Sequence, residues 1–371
     1  MALDSEGCAG KEVDKAGCGN DGREIVYKIV SIDDVLKLEP PQLNGCLLKL
    51  PAKAYVLEDC VAKTIFGAVW KAIDVTEDKR VALKVSSVAQ TTLLPENPEA
   101  ESEVMRSLQC MADDGHKNLI RSLGYFSKKS PKGTHTYCLS ATEWSRHGDL
   151  YGFVAPGAGL KSTGAEKREG EVAGIVQGVL RGLEFMHQRG YAHLDVSLEN
   201  ILMFDSASPP PPRRDNGPAH TSPLSPKLCD FGLTVHVPSA PSLSGSATKK
   251  DEERRLATST LGKELYMAPE IASGVAFSPK LADSYSIGIV AFILLTGHPP
   301  YEHPCRRKDA RFRLIMDAKN GLHSLLRHYK KIDCLSNPAV KFLSSLICLE
   351  ESRLSVADAL NHEFIKRSGA Y

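Results

Sequence analysis

The sequence predicts an α+β protein in which strands and helices occupy successive parts of the chain. Between Tyr55 and Thr142 the pattern is mostly strand-like, and residues 81–85 form a short apolar run typical of a buried strand. From Gly148 onward the pattern is helical, because apolar residues recur at helical spacing through residues 171–188. We therefore expect a sheet-forming part followed by a mainly helical part.

Two further helices are predicted with different surroundings. One interrupts the strand-rich part at about Glu99–Cys110, where prolines precede it and acidic residues fill its first turn. The other, Ala282–Leu295, is apolar nearly all round and is therefore expected to be buried.

The bulk composition is that of a soluble globular protein. The 371 residues, 42% apolar and 25% charged, suit one two-part catalytic unit with tails. A net charge of +1 gives no global attraction to nucleic acid or to an anionic membrane, so we expect neither as a partner. No secretory leader pattern is present, the longest apolar run is short, and the ten cysteines form no CxxC pair. These features predict a cytoplasmic protein with reduced thiols, with the nucleus as the alternative location.

Composition also divides the chain into a tail, an extension and a domain. Residues 1–24 are poor in large apolar side chains and are expected to be disordered, whereas residues 25–54 form an extension that the sequence does not place. Residues 55–366 form the domain, with a first lobe over residues 55–143 and a second over residues 144–366. Low-complexity insertions are expected at residues 155–169, 205–226 and 237–256.

The second insertion is rich in proline. Four consecutive prolines at 209–212 are followed by two arginines. Two interpretations stay open: a docking site for a protein partner through a PxxP-type segment, and a solvated loop without a function of its own.

A series of short segments in the domain carries the predicted chemistry. In chain order they are residues 81–84 (VALK), 191–202 (YAHLDVSLENIL), 228–232 (LCDFG), 266–270 (YMAPE), 283–288 (DSYSIG) and 351–355 (ESRLS). Together they resemble the signatures of the eukaryotic protein kinase superfamily. The resemblance covers about residues 55–366 and implies a bilobed fold, with a small antiparallel β-sheet in the N-lobe and a mainly helical C-lobe.

The resemblance implies roles for the charged residues of these segments. Lys84 would contact the α- and β-phosphates of ATP. A lysine in a buried strand is costly unless it is paired, so Lys84 is also expected to pair with a carboxylate. Its expected carboxylate partner is Glu103, and Glu101 is the alternative. Asp195 would accept the proton of the substrate hydroxyl.

Other implied roles concern the metal and the scaffold. Asn200 and Asp230 would hold Mg²⁺ on the phosphates. Asp283 would bind the backbone of the catalytic loop, and Arg353 would form a buried ion pair with Glu270.

The resemblance places the nucleotide base beside the segment at Glu143 and Trp144, which would read adenine through its backbone. Where the family has a glycine loop this chain has residues 62–69, in which only Gly67 is retained. Thr64 occupies one of the lost glycine positions and is stiffer, so the loop is expected to hold ATP less closely. The remaining residues assigned to ATP are Val69, Ala82 and Leu202.

Two departures from the family concern regulation and the catalytic cation. Leu194 stands where many kinases have an arginine that clamps an activation-loop phosphate, so phosphorylation of Thr258, Ser259 or Thr260 is not expected to activate the protein. Ser197 stands where Ser/Thr kinases have a lysine, whereas Lys263 stands where they have a threonine. We hypothesise an exchange, in which Lys263 reaches the γ-phosphate region and Ser197 supplies the hydroxyl; the alternative is a solvated Lys263.

The sequence therefore predicts an ATP- and Mg²⁺-dependent Ser/Thr kinase of protein substrates that acts as a monomer. The eroded glycine loop and the unusual catalytic loop give it a weak likeness to divergent protist kinases, including the FIKK type. A pseudokinase scaffold is the main alternative, because the glycine loop is degenerate. A small-molecule kinase is less favoured, because Glu270 and Arg353 suit a protein-binding segment.

Overall fold

The computed structural model divides the chain into two compact units. The first unit contains the described residues up to Ala89 together with Arg121–Trp144, and the second contains Pro98–Ile120 and the described residues from Ser145 onward. The structure describes residues 13–18, 24–37, 39–64, 66–89, 98–110, 115–130, 132–154, 165–206, 224–237, 262–317 and 320–366.

The first unit is built on an eight-stranded sheet with the order β1-β2-β3-β4-β5-β6-β8-β7. Neighbouring strands are antiparallel except for β2 and β3, which run parallel. The strands are β1 (Val13–Cys18), β2 (Glu24–Val30), β3 (Leu47–Lys49), β4 (Ala54–Thr64), β5 (Gly67–Asp74), β6 (Lys79–Ala89), β7 (Ser122–Lys129) and β8 (His135–Glu143).

The buried strand predicted at residues 81–85 is the centre of β6. Val81, Leu83 and Val85 are all buried, as the two-residue period of a strand requires for one face of a sheet. They pack in a core with Trp70 of β5 and Leu139 of β8. The strand-rich prediction for this part of the chain is thus confirmed.

The N-terminal extension is part of the first unit's sheet. Strand β2 pairs with β3, and the short helix α1 (Ile32–Lys37) follows β2. The Tyr137 hydroxyl on β8 donates to Asp33 Oδ1 at 2.5 Å, which ties α1 to the sheet. The sequence did not place this segment, because its position depends on which strands pair rather than on its own composition.

Disorder was predicted for residues 1–24, but Val13–Cys18 forms strand β1 against β2. Backbone hydrogen bonds to a neighbouring strand require no large apolar side chains, so composition gives no sign of this pairing. The rest of that tail lies outside the described residues.

The second unit is mainly helical, as predicted. Its helices are α2 (Pro98–Cys110), α3 (Leu150–Val154), α4 (Ala165–Gln188), α5 (Pro269–Ala272), α6 (Pro279–Thr296), α7 (Ala310–Asp317), α8 (Gly321–His328), α9 (Asn337–Leu346), α10 (Val356–Leu360) and α11 (Glu363–Lys366). Short 3-10 turns occur at Pro40–Gln42 in the first unit and at Leu198–Asn200, Glu264–Tyr266, Ile332–Cys334 and Glu350–Ser352 in the second. Helix α2 groups with this unit because Met105 and Leu108 pack in its core.

Two small two-stranded antiparallel sheets position the site residues of the second unit. Strand β9 (Tyr191–Ala192) pairs with β12 (Val235–His236), and β10 (Ile201–Asp205) pairs with β11 (Leu224–Leu228). The predicted proline-rich insertion, residues 205–226, begins at the last residue of β10 and ends within β11. Residues 155–164, 207–223 and 238–261, which include most of the three predicted insertions, lie outside the described residues.

Helix α6 forms the centre of the second unit and contacts α4. In the described part of the chain it is the one helix whose length and hydropathy would suffice to cross a membrane, and 83% of it is buried inside the protein. Such burial is that of a core helix, as the nearly uniform apolar pattern predicted.

Candidate active site

The loop that carries Asp195 is anchored by one buried carboxylate. Asp283 at the start of α6 is fully buried, and its two oxygens accept the backbone N–H groups of His193 at 2.9 Å and Leu194 at 2.8 Å. His187 on α4 contacts the same carboxylate at 2.8 Å. The predicted role of Asp283 is confirmed, whereas sequence reasoning missed the contact of His187.

A histidine connects the loop to the strand that ends before Asp230. His193 is fully buried, its Nδ1 accepts the backbone N–H of Asp195 at 3.2 Å, and its Nε2 lies 3.1 Å from the carbonyl oxygen of Cys229. Because Nδ1 is the acceptor, Nε2 must carry the proton and donate to Cys229. We had assigned His193 no role, although its position two residues before Asp195 offered a signal.

Asn200 orients the Asp195 carboxylate. Its Nδ2 donates to the Asp195 carbonyl oxygen at 2.8 Å and to Asp195 Oδ2 at 2.6 Å. The amide oxygen of Asn200 is therefore the atom that remains available to a cation. The predicted acid–base residue and the first predicted metal ligand thus lie together.

Asp230, the second predicted metal ligand, lies next to Asn200 along the base of a hairpin. Ile201 pairs with Leu228, and the N–H of Cys229 donates to the Asn200 carbonyl oxygen at 3.0 Å. Asp230 itself is exposed and has a φ of +62°, an uncommon conformation for a residue other than glycine.

This donor set fits magnesium. A carboxylate and an amide oxygen are hard ligands, and Mg²⁺ usually takes the rest of its coordination from water and phosphate. Within the described residues there is no cluster of three or more His, Cys, Asp or Glu side chains that could enclose a metal. The arrangement is thus suited to a metal that arrives with a nucleotide rather than to one caged by protein.

Lys263 and Ser197 lie in contact, as the exchange hypothesis requires. Lys263 Nζ is 2.9 Å from Ser197 Oγ and 3.0 Å from Asp195 Oδ2. The Lys263 backbone N–H also donates to Asp195 Oδ1 at 3.1 Å. The structure thus excludes a purely solvated Lys263, while its role on phosphate stays a prediction.

The segment after Lys263 is fixed to the helical core. The Ser286 hydroxyl donates to the Tyr266 carbonyl oxygen at 2.9 Å. Arg353 forms a buried two-point contact with Glu270, at 2.6 Å from Nη1 to Oε1 and 3.1 Å from Nη2 to Oε2. This confirms the predicted ion pair, and its burial shows that it holds the segment in place.

In the first unit, the residues assigned to phosphate and adenine share adjacent strands. Lys84 lies on β6 opposite Val69 of β5 and Ser140 of β8. Ala82, two residues earlier on β6, is paired with Thr142. Strand pairing therefore brings Lys84, Val69 and Ala82 into neighbouring register positions.

Gly67 is required by the packing of β5 against β6, and its role in binding ATP stays a prediction. It pairs with Ser86, and a Cβ at this position would lie 2.0 Å from the Val85 carbonyl oxygen. A side chain here would therefore force β5 away from β6. Thr64, at the end of β4, is paired with Gly67, and its hydroxyl oxygen is buried without a hydrogen-bond partner.

The remaining residues assigned to adenine lie at strand ends. Glu143 ends β8, where its carboxylate accepts the Arg121 N–H at 2.9 Å. Trp144 follows it, with Lys71 Nζ 6.0 Å from the indole ring centre. Leu202 belongs to the second unit, on β10, where it is paired with Lys227.

The two carboxylates considered as the partner of Lys84 differ in burial, and the alternative is the buried one. Glu103 is exposed, whereas Glu101, the alternative, is 7% exposed. Glu101, Met105 and Leu108 are four and three residues apart and therefore share the buried face of α2. This burial favours Glu101, the alternative, as the partner of Lys84, and the identity of that partner stays a prediction.

The chain resembles known proteins over most of its described length. A family model, the protein kinase domain, matches residues 58–365. The chain is 26% identical over 318 residues, 83% of its length, to MAP3K epsilon protein kinase 1 of Arabidopsis thaliana. It is 26% identical over 323 residues, 85% of its length, to serine/threonine-protein kinase PAK 1 of Mus musculus. Over 200 residues, 53% of its length, it is 30% identical to serine/threonine-protein kinase STE20 of Saccharomyces cerevisiae.

These relatives are longer proteins. The chain spans 20% of the Arabidopsis protein, 47% of the mouse protein and 17% of the yeast protein. The similarity therefore concerns one domain of each relative.

Proposed function

Because the chain belongs to the protein kinase domain family, we propose that it transfers the γ-phosphoryl group of ATP to serine or threonine hydroxyls of protein substrates. The mouse and yeast relatives are both named serine/threonine-protein kinases, which supports the choice of serine or threonine as the acceptor. The sequence segment Tyr266–Met267 supports the same choice.

The observation that carries the proposal is the arrangement around Asp195. Its carboxylate is part-buried, and it is held by the Asn200 amide and the Lys263 backbone N–H. A carboxylate fixed in this way can accept the proton of a substrate hydroxyl without first reorganising. A binding scaffold would have no need of a lysine ammonium and an amide converging on one acid.

Asn200 and Asp230 are the residues that would hold Mg²⁺, which neutralises phosphate charge when it is bound. Lys84, Val69 and Ala82, together with the segment at Glu143, are proposed to bind ATP. Gly67 and Thr64 are proposed to contribute through the β4–β5 turn, and Trp144 and Leu202 through apolar contact.

An assay with the purified chain tests the proposal. Wild-type protein and the Asp195→Asn variant are incubated with MgATP and a mixed protein substrate, and phosphoserine, phosphothreonine and phosphotyrosine are separated. We expect phosphoserine or phosphothreonine from wild type and a loss of roughly 10²-fold or more in the variant. Equal signal from both proteins would overturn the proposal and leave the scaffold as the better interpretation.

A thermal shift with MgATP provides the control for binding. Both proteins should be stabilised by the nucleotide, because Asp195 is not among the proposed ligands of ATP. A variant that neither binds nor unfolds like wild type would be uninformative about catalysis, and Asp195→Ala then serves as the second variant.

The cellular setting is also a proposal. The eight cysteines whose side chains the structure describes are all free thiols, which supports a reducing compartment such as the cytoplasm, with the nucleus as the alternative. We further propose a monomer whose partners are protein substrates, with residues 205–226 as a candidate docking segment. Binding of nucleic acid or a membrane is not part of the proposal, which the net charge of +1 supports.

A further inference from the structure

We propose that Lys263 supplies the cation that stabilises the transferred phosphoryl group, and that Gly262 is the residue that positions it. The inference rests on the proposed kinase activity and extends it to a second segment of the chain. In this arrangement the catalytic cation, Lys263, and the catalytic acid, Asp195, lie on different segments of the chain.

The position of the Lys263 ammonium is fixed by two oxygens. Nζ lies 3.0 Å from Asp195 Oδ2 and 2.9 Å from Ser197 Oγ. Ser197 is fully buried, so its hydroxyl is a fixed point, whereas the Lys263 side chain is 38% exposed and can still reach an incoming group. An ammonium at this position can contact a phosphoryl group that is transferred to a hydroxyl bound by Asp195.

Lys263 brings a cation to this carboxylate, since its Nζ lies 3.0 Å from Asp195 Oδ2. Phosphoryl transfer spreads negative charge over the oxygens of the migrating group, and a fixed cation stabilises that charge.

The bond changes leave Lys263 chemically intact. The substrate hydroxyl oxygen forms a bond to the γ-phosphorus while its proton moves to Asp195, and the bond from the γ-phosphorus to the bridging oxygen of ATP breaks to release ADP. The lysine ammonium keeps its protons and acts through charge alone, as a donor to phosphoryl oxygens.

Gly262 makes this placement possible. Its φ is +86°, and a Cβ there would lie 2.7 Å from the Leu194 carbonyl oxygen and 3.4 Å from Asp195 Oδ1. Only glycine combines this left-handed backbone with so close an approach. The close approach lets the next residue, Lys263, donate its backbone N–H to Asp195 Oδ1 while its side chain reaches Oδ2.

The competing explanation is that Lys263 only stabilises the loop as a part-exposed salt bridge. Such a pair contributes little to folding stability and has no specific effect on turnover. The two explanations predict different effects on kcat when Lys263 is replaced. They also predict different effects when a lysine is then introduced at position 197.

The test compares Lys263→Thr, Ser197→Lys and the double variant with wild type. We expect Lys263→Thr to lower kcat by roughly 10²–10³-fold, the loss typical when one group that stabilises transition-state charge is removed, with little change in KM for ATP. Because Nζ lies in contact with Ser197 Oγ, a lysine at 197 can place its ammonium near the same point, and the double variant should recover at least roughly tenfold in kcat over Lys263→Thr.

Controls separate this inference from general damage and from failure of the proposed function. Lys341→Ala, at an exposed position on α9, should behave like wild type, and thermal unfolding should show that each variant is folded. Wild type that turns over no faster than Asp195→Asn would overturn both proposals. Wild type that is active and Lys263→Thr that is equally active would overturn only the role of Lys263.

Gly262 is tested by non-additivity. We expect Gly262→Ala to lower kcat with an unchanged KM for ATP, and to have little further effect when Lys263 is already threonine, because both changes remove the same cation. If the two losses instead multiply, Gly262 does not act through Lys263 and that part of the inference is wrong.

Discussion

Asp283 accepts the backbone N–H of Leu194 at 2.8 Å while Leu194 holds a φ of +62°. A left-handed conformation costs a residue with a Cβ roughly 1–2 kcal/mol. The conformation persists because the same carboxylate also binds the N–H of His193 and the ring of His187. Asp195 comes next in the chain, so the direction of its carboxylate depends on this anchor.

We expect Asp283→Asn to weaken both folding and catalysis. The amide keeps one acceptor but turns an NH₂ group toward a donor, and each buried donor left unpaired costs ~1–3 kcal/mol. Denaturant unfolding should show this loss, and kcat should fall by roughly tenfold or more because Asp195 is no longer fixed.

A neighbouring buried residue provides the control. Ser284 is also fully buried on α6, but its hydroxyl bonds only to the Lys280 carbonyl oxygen of its own helix. Ser284→Ala should therefore leave kcat close to the wild-type value. An Asp283→Asn enzyme with wild-type kcat would show that the anchor is dispensable.

The parts of this molecule that the sequence predicted are those with few chemical alternatives. A buried arginine requires an acid, and the resemblance of residues 266–270 and 351–355 to kinase signatures identified Glu270 as that acid for Arg353, as the structure shows. Residues 81–85 have the composition of a buried strand, and they form one. In both cases the local residues restrict the structure strongly.

The parts that the sequence did not predict depend on how strands pair, not on the composition of any one strand. Strands β1 and β2 gain their place from pairing rather than from their own composition. Gly67 was predicted to contribute to phosphate binding. The structure shows in addition that a Cβ at this position would lie only 2.0 Å from the Val85 carbonyl oxygen. Neither fact is visible without the register between strands.

The burial of Glu101 leads to a paired prediction. A buried carboxylate must be stabilised by a cation or by hydrogen bonds, whereas an exposed one is stabilised by water. We expect Glu101→Gln to lower kcat/KM for ATP by at least roughly tenfold, and Glu103→Gln, on the exposed side of α2, to change it little. The reverse order of effects would restore the original assignment of Glu103.

Leu194 also predicts how the protein responds to phosphatase. Its side chain is 5% exposed and apolar, so this position offers no cation to a phosphate on Thr258, Ser259 or Thr260, which lie outside the described residues. Phosphatase-treated enzyme should keep its activity within a few-fold of the untreated enzyme. The triple alanine variant at these positions should behave in the same way. A collapse of activity that rephosphorylation reverses would refute the prediction.

His116 should make folding stability depend on pH below neutrality. Burial and the nearby charges of Lys117, Arg189 and Arg181 lower the pKa of His116 from 6.5 to about 4. Its Nδ1 accepts the Asn118 N–H at 3.3 Å, which requires that nitrogen to be unprotonated.

The sign of the pH effect follows from linkage. Between pH 6.5 and 4 the unfolded chain binds a proton at His116 that the folded chain does not, so stability is fully present above this window and falls as the pH decreases through it. We expect His116→Asn, whose amide oxygen can replace the acceptor, to show a flatter decline of Tm over the same window. Because both proteins contain the same carboxylates, the difference between their curves of Tm against pH reports on His116 alone. Parallel curves would show that the proton affinity of His116 is the same in the folded and the unfolded chain.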